Sequence, residues 1–358
     1  MITQFMDVFK GKTVLVTGHT GFKGSWLSIW LKELGAKVIG YALEPYTSRD
    51  NFIVTKLENK ITHIIGDIRD YDKLKRVFDI HKPEFVFHLA AQPIVLISYK
   101  EPKMTFDTNV GGTVNLLECC RNSNSVKVIV NVTTDKCYEN REWIWSYREN
   151  DPMGGIDPYS SSKGCSELVT AAYRNSFFKK NGVALASARA GNVIGGGDWQ
   201  ESRIMPDCYR ALIQGKPISI RSPHAIRPWQ HVLEPLSGYL LLAVKMSLDG
   251  EKYADVWNFG PNYSSVISVR ELTEKVIKYW GSGRINITQQ LNKPYEAKLL
   301  SLDISKARYL LNWEPSLNID EAIKLTTEWY KSKKCNYDFN VSQIKYYSDK
   351  WNTRIKKS

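Results

Sequence analysis

No uninterrupted apolar stretch in the 358 residues approaches the ~20 that a bilayer-spanning helix needs. Met1 to Lys12 lack the basic-then-apolar layout of a secretory signal. A cytoplasmic protein without a membrane partner is therefore expected. The six cysteines (Cys119, Cys120, Cys137, Cys165, Cys208, Cys335) have no C-x-x-C spacing and no paired histidines to complete a ligand set. Neither a zinc site nor a disulfide framework is suggested, so no metal is expected and the thiols should be reduced and mostly buried. Internal repeats and low-complexity segments are also missing.

Charge is not in balance. Lys and Arg number 49 against 37 Asp and Glu, a formal net of +12, which invites a nucleic-acid partner until the excess is located. Residues 331–358 hold seven Lys and one Arg against two Asp, a net of +6, so half the surplus sits in a short C-terminal stretch. The remainder is thinly spread, and no RNA-recognition motif, basic zipper or finger spacing gives it direction. A phosphorylated small molecule suits it equally well, and no nucleic-acid partner is expected.

Across the first 190 residues, short β-branched runs alternate with helical stretches. The pattern predicts strands at Thr13 to Thr17, Lys37 to Ala42, Thr62 to Gly66, Phe85 to Leu89, Val126 to Thr133 and Val183 to Ala190. Helices are expected at Lys23 to Leu34, Tyr71 to Ile80, Thr108 to Cys120 and Tyr159 to Lys179. Such alternation makes an α/β fold, a doubly wound parallel sheet covered on both faces. The rhythm breaks after Gly191, where Gly195 to Gly197 and four prolines up to Pro228 mark loops around shorter elements. The chain therefore divides into a nucleotide-binding domain (1–190), a smaller mixed α/β substrate lobe (191–335) with some exchange of segments between the two, and a basic tail (336–358).

Val14-Leu-Val-Thr-Gly18-His-Thr-Gly21-Phe-Lys-Gly24 is a strand entering three glycines at the start of a helix. Glycines allow a tight turn and close approach of a pyrophosphate, and the helix N-terminus offers it free N–H groups. The strand before and the helix after make this a dinucleotide site. An acidic residue at the end of the second strand would bind the adenosine ribose, but Ala42 stands there, Glu44 comes two residues later, and Arg49 is distant. NAD is favoured, with NADP left open on residues alone. Asp67 and Ile68, after the third strand, could meet the adenine, or Asp67 could simply start a helix. Tyr159 and Lys163 are four apart and share a helix face. A phenolate favoured by the adjacent ammonium and a nicotinamide cation would take the proton of an alcohol as its hydride leaves.

Together with Leu89-Ala-Ala-Gln92, Thr108-Asn109-Val, Thr134 and Arg189-Ala-Gly-Asn192, these motifs resemble the extended short-chain dehydrogenase/reductase family over nearly the whole chain. The resemblance implies a Rossmann-type domain that keeps NAD and a C-terminal lobe that grips a nucleotide-linked sugar. It places the cofactor against Gly18, His19, Thr20, Gly21, Phe22, Lys23 and Gly24, then Asp67, Ile68, Leu89, Ala90, Ala91, Gln92, Asn109, Thr133, Tyr159 and Lys163. Fold alone cannot choose among the family's epimerases, decarboxylases and dehydratases. Thr134-Asp135-Lys136 decides: dehydratases usually carry Thr-Asp-Glu here, and Lys136 in place of Glu looks like the branch that dehydrates CDP-D-glucose at C4 and C6. Asn140-Arg-Glu-Trp143, Tyr147-Arg-Glu-Asn150, Gly195-Gly-Gly-Asp-Trp199 and Arg227-Pro-Trp-Gln-His231-Val-Leu-Glu-Pro235 resemble the same branch, although Trp143, Trp145 and Trp199 could equally be packing aromatics.

The expected catalytic set is Thr134, Asp135, Lys136, Tyr159 and Lys163, with Asp135 the acid at C6 and Lys136 the group at C5, as base or as electrostatic stabiliser. Expected substrate contacts are Gln92, Ser98, Thr134, Asn192, Arg203, Arg221 and Arg227, the arginines suiting a diphosphate by their forked donors. A homodimer through Thr108 to Cys120 and Tyr159 to Lys179 is expected by analogy. The alternatives are a nucleotide-sugar 4-epimerase, which needs no acid at C6, and an NAD-dependent regulatory or binding protein.

Overall fold

The computed structural model describes residues 2–288 and 299–355. Six strands form where the alternation places them: β1 (Thr13–Thr17), β2 (Lys37–Ala42), β3 (Thr62–Ile65), β4 (Phe85–His88), β5 (Val128–Thr133) and β6 (Ala184–Arg189). A short seventh, Val256–Asn258, joins them, and the order across the sheet is Val256–Asn258, β6, β5, β4, β1, β2, β3. Every pairing within it is parallel. Helices cover both faces, so the strands read as continuous apolar runs. In β1, Val14 and Val16 enter one core cluster with Trp26 and Trp30, while Leu15 enters the other with Leu74, Phe78 and Leu116. The chain winds outward from β1 in one direction and from β4 in the other. A crevice therefore opens between the carboxyl ends of β1 and β4.

The later segment shares elements with the sheet. Helix Leu233–Leu248 is buried along nearly its whole length and packs against β5, and Val256–Asn258 returns to pair with β6. What lines the crevice from this segment comes from helices Ile204–Ile213 and Val269–Trp280 and from short strand pairs such as Ile226–Pro228 with Val266–Ser268; helix Ile319–Lys331 packs against Val269–Trp280.

The segment expected as a basic tail is a 19-residue helix, Tyr337–Ile355, as far as the described residues run; Lys356 and Lys357 lie outside them. Ile344, Tyr347 and Trp351 fall on one helix face and are fully buried. The lysines masked that stripe in a reading by composition. Among the described residues no helix is long and apolar enough to cross a membrane, and the six cysteines are free thiols.

Candidate active site

A cleft of about 1100 Å³ runs along the carboxyl end of the sheet, and the glycine loop forms its floor. Gly18 turns the chain out of β1 at φ +76°, where a Cβ would lie 2.7 Å from the Ala90 nitrogen. A Cβ on Gly24 would lie 2.1 Å from the Gly18 oxygen, so this glycine lets helix Phe22–Glu33 close onto the strand. Gly21 is the N-cap, and no side chain caps the helix. Its first N–H groups therefore point at a cleft wide enough for an anion, the fit that a dinucleotide pyrophosphate requires. Thr17 ties the opposite wall down: its Oγ1 accepts from Leu89 and Ala90 N–H at 3.2 and 3.3 Å and pairs with His88 Nδ1 at 2.7 Å.

At one end of the cleft stand Ala42, Glu44, Asp67, Ile68 and Arg69. The Asp67 carboxylate is held by Arg69 through Nε at 3.0 Å and Nη2 at 2.6 Å, which keeps its pKa below the ordinary aspartate value. Its acceptors are thus already engaged.

At the other end β5 delivers Thr134, which caps a single turn, Asp135–Cys137. Thr134 Oγ1 donates to Asp135 Oδ1 at 2.9 Å, while Asp135 Oδ2 is buried with no hydrogen-bond partner among the described residues. Lys136 lines the cleft beside it. Across from this turn, helix Pro158–Tyr173 starts at Asp157, whose carboxylate accepts from Ser160 N at 3.0 Å, with Pro158 at the first position. One turn of that helix brings Tyr159 and Lys163 into the cleft together.

The expected phenolate draws on a nicotinamide cation as well as the lysine. Burial first and the neighbouring Asp135 push the Tyr159 phenol up to about 12, against the downward pull of its hydrogen bond with Thr134 and of the Arg203 guanidinium. Burial lowers the Lys163 ammonium to about 8, and its Nζ donates to the Val132 carbonyl at 3.4 Å. Burial thus opposes ionisation of Tyr159, and positive charge brought in by a ligand would favour it.

The second lobe brings Asn192, Arg203, Arg221 and Arg227 to the same cleft, with Trp199 and Trp229. Arg203 is paired with Asp198 at 2.8 Å. Three expected residues do not reach it. His19 turns inward to His63 at 2.6 Å and Phe52, because Gly40 leaves room for its ring on the inner side. Ser98 is fully buried and donates to the Val95 carbonyl at 2.7 Å. Asn109 lies behind the lining, where its Oδ1 accepts from Gln92 N at 2.8 Å and its Nδ2 donates to Ser162 Oγ at 2.8 Å. Gln92 lines the cleft, but its amide is spent on Thr105 Oγ1 and the Ile94 N–H. Trp143 stacks on Tyr147 at 5.4 Å between ring centres and is packing; Trp145 is exposed.

Reading the sequence missed the support beneath the site. Glu167, one turn beyond Lys163, accepts from Ser187 Oγ at 2.7 Å and Arg189 Nη2 at 2.9 Å and also from Thr133 Oγ1. Burial opposes its charge, but Arg189 outweighs it and holds the carboxyl below the ordinary glutamate range. Arg189 also donates to the Tyr138 hydroxyl at 2.6 Å. The available signals were an arginine inside the apolar strand β6 and a third polar residue at the Tyr159, Lys163 helix spacing.

Residues 15–326 match the GDP-mannose 4,6 dehydratase family. The chain belongs to this family. It is 50% identical over 331 residues to a CDP-glucose 4,6-dehydratase of Salmonella typhimurium, covering 91% of this chain and 92% of that relative. To a dTDP-glucose 4,6-dehydratase of Escherichia coli it is 26% identical over 341 residues, 89% of this chain and 92% of the other. Among solved structures, UDP-glucose 4-epimerase of Thermotoga maritima with UDP-glucose superposes with a TM-score of 0.76 at 26% identity, covering 89% of this chain and 98% of that one. This family membership is the extended short-chain dehydrogenase/reductase kinship that the motifs implied.

Proposed function

We propose that this protein is an NAD-dependent hydro-lyase that converts CDP-D-glucose to CDP-4-dehydro-6-deoxy-D-glucose and water. The observation that carries the reading is the pairing, in one cleft, of Tyr159 and Lys163 with Asp135 and Lys136, the Asp135 Oδ2 buried without a hydrogen-bond partner among the described residues. An epimerase needs the first pair alone. The identity to the CDP-glucose dehydratase, about twice that to the epimerase, supports the same choice. Glu44 in the cleft supports a cofactor ribose with free hydroxyls, since it would repel a 2′-phosphate.

A hexose C6 hydroxyl leaves poorly and the C5 proton is not acidic, so dehydration requires oxidation at C4 first. NAD, when bound, supplies that chemistry by accepting the C4 hydride and giving it back at C6. Tyr159 takes the O4 proton, with Lys163 and Arg203 as cations in the same cleft. The C4 ketone acidifies C5–H, Lys136 removes that proton and returns it to C5 as C6 takes up the hydride, and Asp135 is the acid at the departing C6 oxygen. Burial of Tyr159 and Asp135 keeps water from both transfers. Arg221 and Arg227, from the covering lobe, are placed to hold the diphosphate.

The reading includes a homodimer. Leu168 and Phe177 are exposed on and just beyond the Tyr159 helix, an apolar face suited to a second copy; a monomer mass by light scattering at micromolar concentration would remove this part. It also includes a cytoplasmic place of action, where six free thiols stay reduced.

The deciding experiment incubates the purified protein with CDP-, dTDP-, GDP- and UDP-glucose and weighs the products. Loss of one water, selectively from the cytidine substrate and with only catalytic NAD, is the expected result. An isomer of unchanged mass would make it an epimerase.

A further inference from the structure

Lys23 has no task in the mechanism above. It is the second residue of helix Phe22–Glu33, and its side chain lines the cleft. The charged groups that act on it are Arg203, Lys163 and Asp135, all at the catalytic end, and not Glu44 or Asp67 at the other. Burial and the two cations outweigh the single carboxylate and hold its ammonium down to about 8. Positive charge is thus concentrated where the hydride moves. The C4 hydroxyl must meet Tyr159 while its hydride leaves, so the acceptor ring must lie within the field of these groups.

Building on the dehydratase reading, we propose that Lys23 is a further electrostatic residue of C4 oxidation. Its ammonium, fixed in the glycine loop, raises the free energy of the oxidised, cationic nicotinamide relative to the reduced, neutral one. In that step the C4–H bond breaks with its electron pair going to the nicotinamide, the O4 proton goes to Tyr159, and C4=O forms. One positive charge disappears beside Lys23, and a like-charge repulsion is relieved. A lysine that served the pyrophosphate alone would act otherwise, because that group carries the same charge in both redox states. It would strengthen NAD⁺ and NADH binding alike, and only differential binding shifts the equilibrium between them.

The test is the ratio of the dissociation constants for NAD⁺ and NADH, measured on the nucleotide-free full chain by NADH fluorescence and competition. In Lys23→Met the ratio should fall roughly tenfold in favour of NAD⁺, as expected for removing one nearby charge. Lys23→Gln, polar and neutral, should do the same, and Lys23→Arg should keep the ratio within about twofold. Single-turnover oxidation at C4 should slow in the two neutral variants. An unchanged ratio in both neutral variants, including an equal loss of both nucleotides, overturns the proposal. A shift as large in Lys23→Arg would also overturn it, since shape and not charge would be responsible. Failure of the unmodified chain to bind either nucleotide would instead remove the dehydratase reading on which the proposal rests.

Discussion

Asp135 keeps its bare oxygen because Gly191 has no side chain. A Cβ at position 191 would lie 2.0 Å from Asp135 Oδ2, so Gly191→Ala must displace the carboxylate. Misplacing a reacting group by about 1 Å can cost ~10²-fold in rate. The expected result is a fall of that order in kcat with KM for the sugar nucleotide little changed; a kcat near that of the unmodified chain would mean that Asp135 has another working position. Tyr159 and Lys136 are separable by step. Tyr159→Phe should abolish the first hydride transfer, so that no NADH builds up on the enzyme. Lys136→Ala should still oxidise C4 but lose the C5 proton ~10²- to 10⁴-fold more slowly if general base catalysis is its role. Bound NADH and retained C5 deuterium in a single turnover would show it. Dehydration at nearly the normal rate in Lys136→Ala would take the base assignment away.

These side chains are aligned by the ends of β5 and β6 and by helix Pro158–Tyr173, locked together below the cleft by Glu167 and Arg189. Both are almost fully buried, at 3% side-chain exposure, and 2.9 Å apart. Removing one partner of such a pair leaves an uncompensated buried charge, which destabilises by about 3–5 kcal/mol. Arg189→Met should lower the urea midpoint accordingly, and adding Glu167→Gln should recover part of the loss, a non-additivity that a double-mutant cycle measures. Simple addition of the two effects would mean that the pair does not act as a unit. This network marks the boundary of what the sequence makes legible. The strands, the glycine loop and the Tyr159, Lys163 pair are written in neighbouring residues, where period and spacing suffice. Thr134-Asp135-Lys136 could be read because a strand end carries it into the crevice. The inward turn of His19 depends on Gly40 in the next strand and on His63 in β3, and the Glu167 partnership depends on three separate segments. No local pattern encodes those contacts.

The C-terminal helix, which the sequence marked only as a basic stretch, joins distant parts of the chain. Tyr337 donates to Glu33 at 2.8 Å on the glycine-loop helix, and Asn340 Nδ2 donates to Asn51 Oδ1 at 2.6 Å. Its deepest anchor is Glu234, whose Oε2 accepts from the Tyr347 hydroxyl at 2.6 Å and whose Oε1 accepts from Ser316 and Leu317 N–H at 2.9 and 2.6 Å. Burial raises this carboxyl from 4.5 to about 7, the hydrogen bonds only partly offsetting it. Between those two values the folded chain keeps a proton that the unfolded chain releases. Stability from this group is therefore fully present below about 4.5 and declines as pH rises toward 7, by roughly 3 kcal/mol in all. Other groups titrate over the same range, so the informative quantity is the difference from Glu234→Gln, which cannot ionise. That variant should be the less stable of the two at pH 5 and gain on the unmodified chain by a few kcal/mol as pH rises to 8, as measured by urea unfolding at steps of one pH unit. Parallel stability curves for the two proteins would show that Glu234 titrates alike in the folded and unfolded chains, and that Tyr347 and the 316–317 backbone hold the C-terminal helix without regard to its charge.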